Sequence, residues 1–220
     1  MTSTSSLLNT PLRQHVSPVL REAGFPAVDA RNGWRWDGDF VSVFSIRAVG
    51  SYFSQSAGWP PGSVCVWLGV FFTFAPRPPG LKDDKEGRPL PPEHLCHMRS
   101  HLSCGLDQSR RLRALPNELE RVRQDIWWVE RDGSNAGEVA ADIAKALRGH
   151  GLRWFAQAMD LRRALAESEA MRDCFAKFSK AAMIARHLGD DERWKRYDEL
   201  AEREAIRIGQ STDRQTWLGL

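Results

Sequence analysis

Apolar residues recur in successive rhythms along this chain, and each rhythm predicts a kind of element. Leu12, Val16, Val19, Leu20 and Ala23 are spaced as one helix face, closed by Gly24, a residue suited to the position just past a helix end. Thr10 and Pro11 supply a cap and a first helical position, and Pro18 predicts a kink or a second start capped by Ser17. The rhythm then shortens to two. In "GWRWDGDFVSVFSIRAV", Trp34 and Trp36 alternate, Asp37-Gly38 marks a hairpin turn, and Phe40, Val41, Val43 and Ile46 continue on the returning strand. "GSYFSQSAGWPPGS" reads as loop, and Val64 to Phe74 is apolar on both faces, as in a central strand covered from both sides.

Six of the twelve prolines fall within residues 76–92, around a charged middle, which predicts a solvated excursion of polyproline II character. Ser109 to Arg123 is basic and helix-tolerant but broken by Pro116, and "DIWWVE", Asp125 to Glu130, is rich in strand formers and ends in the turn signal "RDGSNAG". From Glu138 the helical period returns. Val139, Ile143, Ala146 and Leu147 mark one helix stopped at Gly149, and Trp154, Phe155, Ala158, Leu161 and Leu165 mark another. Met171, Phe175, Phe178, Ala182 and Ala185 run up to Gly189, and Trp194, Tyr197, Leu200, Ala201, Ala205 and Ile208 follow, a pair that predicts a helical hairpin. The pair is not repeated at a fixed period, so a solenoid is not expected.

These elements predict an α+β fold: an N-terminal helix, an antiparallel sheet of about four or five strands, helices packed on one face and a C-terminal helical hairpin. Residues 1–167 would form the α+β domain with its excursion, and 168–220 the hairpin, packed on it or appended to it. "VSPVLREAGF" (16–25), "VWLGVFF" (66–72), "DIWWVE" and "LRGHGLRWFAQAMD" together resemble the bacterial proteins grouped as domain of unknown function 4304, over roughly the first three quarters of the chain. The resemblance implies the same kind of fold and a bacterial source. It also implies that Cys96, Arg99, His101 and Leu102 belong to a strand, and it brings no activity or catalytic residue with it.

Composition narrows the function classes. Nine tryptophans and ten phenylalanines supply a large apolar core, while a net charge of +3 is too small to argue for nucleic acid. The polar N-terminus has no secretory pattern and the longest apolar stretch, Val64 to Ala75, falls short of a bilayer span, so the expected place is the cytoplasm, with four reduced cysteines.

"EHLCHMRSHLSCG" holds three of the six histidines and two of the four cysteines, and is the main candidate for chemistry. As a helix it would set His94, His97, His101 and Cys104 on one face, where adjacent pairs could ligate zinc. As a strand it would keep His97 and His101 about 13 Å apart, too far to share an ion. The alternation favours the strand, with Cys96, Met98 and Leu102 on one face and His97, Arg99, His101 and Ser103 on the other. A metal-dependent enzyme using His97, His101 and Cys104 or Cys96 is therefore the second reading. A third is weak nucleic-acid binding through Arg110, Arg111, Arg113, Arg121 and Arg123, a run more in keeping with a solvated face. Phosphate-binding loops and nucleophile elbows are missing from the sequence. The favoured expectation is a non-enzymatic module without a cofactor that meets a protein partner through Trp34, Arg35, Trp36, Trp127 and Trp128, the residue types of binding hot spots.

Overall fold

The computed structural model describes residues 7–209. Residues 1–6, within the stretch read as lacking a secretory signal, and 210–220, the end of the hairpin region, lie outside the described residues. Helix α1 (Asn9–Glu22) buries the predicted stripe of Leu12, Val16, Val19 and Leu20. It begins earlier than its Thr10-Pro11 signal, with Leu8 at the cap position, and Pro18 lies inside one helix with no second start at Ser17, which is buried. Its end follows the sequence closely. Gly24 has φ +81°, and the amides of Phe25 and Gly24 donate back to the Leu20 and Arg21 carbonyls, a closure that left-handed glycine makes possible.

Six strands form one antiparallel sheet: β1 (Ala27–Val28), β2 (Asn32–Asp37), β3 (Phe40–Ala48), β4 (Val64–Phe72), β5 (Met98–His101) and β6 (Ile126–Trp127). Its order is β1-β2-β3-β4-β5, with β6 also paired to β4. Since β3 pairs with β4 from Ala48↔Val64 to Phe40↔Phe72, β5 and β6 must share the other edge of β4, one after the other. The β2-β3 turn falls at the expected Asp37-Gly38 signal, with Gly38, at φ +53°, and Asp39 as its two loop residues between the paired Asp37 and Phe40. The predicted strand 125–130 contributes only Ile126 and Trp127 to the ladder, because the chain turns after Trp127 to bond elsewhere.

Register sorts the side chains between two faces. Phe44, Ile46, Val64, Val66, Leu68, Val70 and Phe72 face the main core, which is covered by α1, α5 (Ala136–Ala146), α6 (Leu152–Ala158), α7 (Leu161–Glu169) and α8 (Phe175–His187). Helix α9 (Asp191–Arg207) packs along α8, and its Tyr197 and Ala201 join that core. The expected stop at Gly149 does not occur. A π-helical turn, Leu147–Gly151, carries α5 into α6, and a Cβ at Gly151 would lie 3.3 Å from Leu102 and 3.5 Å from Leu68, so glycine there lets the helix approach the sheet.

The opposite face carries two smaller cores. Trp59, Val49, Leu115 and Ile126 are covered by α2 (Ser51–Ala57), α3 (Ser109–Leu112) and α4 (Glu118–Arg121), the last two flanking Pro116. Helix α2 replaces an expected loop, closed by Gly58 in the left-handed region. The second core gathers Val41, Val43, Phe71, Leu81 and Cys96, with Trp34 and Trp36 against it. Here the proline-rich segment 76–92 folds back over the sheet at Leu81 and at Pro89 and Pro91, while its charged middle, with Lys82, Asp83, Lys85 and Glu86, stays exposed as expected. Trp34 and Trp36 donate their indole N–H groups to the Pro91 and Pro89 carbonyls at 3.0 and 2.9 Å, and the Arg88 guanidinium lies 4.0 Å from the Trp36 ring centre.

Candidate functional site

The split partnership of β4 leaves its two outer neighbours in different states. Strand β6 is closed on its outer side by Gln108, whose amide donates to the Ile126 carbonyl and accepts from the Trp128 amide. Strand β5 has no such cover among the described residues. The Leu102 amide donates to the Val66 carbonyl, so in an antiparallel ladder Ser100 also turns its backbone groups toward β4, while Arg99 and His101 turn theirs outward. Both residues are exposed, and among the described residues no strand lies beyond them.

Two cavities flank this edge on the helix side. One of about 500 Å³ is bounded by His94, Cys96, His97, Met98 and Arg99 on the strand side and by Glu167, Ser168, Met171, Ala176 and Lys180 on the helix side. The other, about 410 Å³, follows the chain to Leu102, Ser103 and Gly105, with Asp142, Lys145, Ala146, Gly149 and His150 opposite. Alternate residues of an extended segment point to the same side, so a strand laid along β5 would offer one side chain to each cavity.

The histidines of "EHLCHMRSHLSCG", residues 93–105, occupy unlike environments. The His97 ring stacks on Phe72 at 4.9 Å, and its Nδ1 accepts the Phe72 amide at 2.9 Å, which leaves Nε2 as the protonated nitrogen of the neutral ring. Burial, reinforced by the nearby Lys180 ammonium, pushes its pKa down to about 4. His101 instead stands on the opposite sheet face beside Trp67, with ring centres 5.9 Å apart. Cys104 packs near the main core, where burial pushes its thiol up to about 12 despite a bond from the Leu106 amide. The structure does not bring His97, His101 and Cys104 together, and among the described residues no three His, Cys, Asp or Glu side chains are grouped to hold a metal. The expected alternation also breaks at its start. Met98 and Leu102 enter the main core, but Cys96 turns into the core on the other face, where a Cβ on Gly69 would meet its Sγ at 2.5 Å. The cause is the 3-10 turn Glu93–Leu95, which delivers Cys96 before the ladder begins.

The predicted partner-binding residues are largely engaged within the molecule. Besides Trp34 and Trp36, Trp127 is 0 % exposed and its indole N–H donates to Asp142 Oδ2 at 2.8 Å, an oxygen that also accepts the Gly105 amide at 2.8 Å. Arg35 donates to the Ala23 carbonyl, and Trp128 lies against Trp59 with ring centres 5.7 Å apart. Of the basic run, Arg111 pairs with Glu130, Arg121 bonds the Leu115 carbonyl, and Arg123 holds Asp125, whose carboxyl this bond keeps below the usual carboxylate range. Arg110 and Arg113 are exposed.

Sequence reasoning missed Lys180, Lys145 and the free edge itself. Each lysine stands among the ordinary charged residues of an amphipathic helix, Lys180 beside Lys177 and Lys145 beside Asp142, a weak signal, and an edge is defined by which strands are absent beside it. No family model, no curated protein and no solved structure matches this chain.

Proposed function

We propose that this protein is a non-enzymatic interaction module that binds an extended, acidic segment of a partner protein by adding it as a strand to β5. The observation that carries this reading is the outward-facing backbone of Arg99 and His101 on an edge flanked by two cavities. Strand addition draws affinity from main-chain hydrogen bonds and selectivity from pockets for alternate side chains. Charge specifies the occupant. Arg99 and His101 lie on the edge, and Lys180 and Lys145 line the cavities, so an acidic segment is complementary. A second copy of β5 would set Arg99 and His101 against like groups, which disfavours self-pairing. All four cysteines are free, which fits the reducing cytoplasm, and with the resemblance to domain of unknown function 4304 the proposal extends to a bacterial one.

Arg99→Pro tests the reading, because it removes an N–H that the β4 ladder does not use, and edge strands tolerate proline on their outer side. Against acidic peptides of about eight residues, long enough to pass both cavities at roughly 3.3 Å per residue, calorimetry should show binding to the wild-type chain and at least a tenfold loss in Arg99→Pro. Arg99→Ala, which keeps the amide, should lose less. Equal binding by Arg99→Pro and wild type would sink strand addition.

A further inference from the structure

We infer that the cavity between β5 and α8 is a carboxylate-binding site in which the Lys180 ammonium receives the anion, and that it reads one acidic side chain of a segment added to β5. The second clause rests on the strand-addition reading; the first does not.

The two lysines of α8 make the case by contrast. Lys177 is bonded on both counts, to the Met171 carbonyl and to Asp173 Oδ1, each at 2.9 Å. Lys180 is partly buried, lines the cavity, and makes no hydrogen bond or salt bridge among the described residues. A cation withdrawn from water without a partner is unfavourable, and a ligand carrying the opposite charge removes that penalty. The one carboxylate lining the cavity, Glu167, is held by Arg163 at 2.9 Å, one turn back along α7. Burial lowers the pKa of Lys180, and the nearby Glu167 carboxylate offsets this only in part.

His97 adds a second donor. Its Nδ1 is occupied by the Phe72 amide, so the neutral ring carries its proton on Nε2 and can donate only from there. The Ser168 hydroxyl is already directed to the Ala164 carbonyl. Met98, Met171 and Ala176 supply apolar wall, and the volume lies within the roughly 300 to 1,000 Å³ of small-ligand sites. The Arg99 guanidinium, also at this cavity, is turned over the Trp67 ring, 5.2 Å from its centre, which leaves one ammonium without a hydrogen bond and one neutral N–H donor to match a single negative charge on two oxygens. A phosphate dianion asks for more positive charge and more donors than these.

The test uses the full chain and two independent arms. In the first, acetate and inorganic phosphate are titrated while the His97 ring resonances are followed. Acetate should shift them saturably in wild type and not in Lys180→Met, with Lys180→Gln as a second variant in case the first is poorly folded. Absence of a saturable acetate shift in wild type, or saturation by phosphate but not acetate, overturns the carboxylate site. In the second arm, an acidic peptide is compared with the version in which only the Glu that meets the cavity, found by replacing each in turn, is changed to Gln. Wild type should prefer the acidic peptide by about tenfold, and Lys180→Met should reduce that preference to within about twofold while binding the amide peptide as wild type does. An undiminished preference in Lys180→Met overturns the role in reading the peptide. Failure of strand addition is recognised separately, since Arg99→Pro would then bind peptide normally while the acetate response of the cavity persists.

Discussion

His97 has a hydrogen-bonding role that requires it to stay neutral. Its Nδ1 accepts the Phe72 amide, so protonation there would break a partly buried bond and place a cation beside Lys180. The folded-state pKa of about 4 lies below the 6.5 of a free imidazole, chiefly because of burial, so as pH falls the unfolded chain takes up this proton first. The stability from this source is fully present above pH 6.5 and is lost progressively between about 6.5 and 4, amounting to about 2 kcal/mol by pH 5. His97→Asn, whose side-chain oxygen can still accept the Phe72 amide, should lose about that much less stability than wild type between pH 7.5 and 5, read from urea midpoints. Parallel pH dependence in the two proteins would rule this out. At this scale the sequence was a good guide where a regular ladder applied and a poor one beside it. Met98 and Leu102 face inward as their alternation implied, but the 3-10 turn before β5 resets the parity, putting Cys96 on the far face and His97 against Phe72.

Elements with a strong period were the legible ones. α1, the β2-β3 hairpin, β4 and the α8-α9 pair each carry a stripe or alternation long enough to outweigh local exceptions. Helix α2 was missed because only Ala57 is buried along it, leaving no periodic stripe to read. The proline-rich segment was misplaced for a related reason: its composition describes a stiff, polar chain, while its attachment depends on carbonyls that meet Trp34 and Trp36 across the sheet. Asp84 organises that segment, accepting the Glu86 and Arg88 amides at 2.9 Å each and pairing with the Arg88 guanidinium that covers Trp36. Asp84→Ala should therefore loosen the strap locally. Hydrogen exchange at the Trp34 and Trp36 indole N–H groups should quicken by an order of magnitude or so, as expected for a local opening, while that of Trp127 stays unchanged. Uniform acceleration at all three would show that the strap has no independent freedom.

For the whole molecule, the question raised by the sequence is whether residues 168–220 pack on the α+β domain or merely follow it. The apolar stripe of α8 predicted a partner surface without naming it, since amphipathicity records that a face is buried and not against what. In the fold, Ala181, Ala182, Ile184 and Ala185 are each 0 % exposed and belong to the same buried cluster as Phe44, Leu68 and Phe72 of the sheet. Phe74 stacks on His187 at 3.8 Å, and His187 lies 3.1 Å from Asp39 in the β2-β3 turn, so the end of α8 is tied to the sheet as well. The small residues let α8 come close, and the penalty for removing it is the exposure of everything beneath. The full chain should accordingly unfold in one transition, with far-ultraviolet circular dichroism and tryptophan fluorescence coincident in urea. A chain ending at residue 170 should bind a hydrophobic dye and lose its sharp transition, because at roughly 25 cal/mol per Å² the uncovered sheet face forfeits several kcal/mol of a total that is itself only about 5 to 15 kcal/mol. A truncated chain with dispersed amide resonances and a cooperative midpoint near that of the parent would instead mark the hairpin as an appendage.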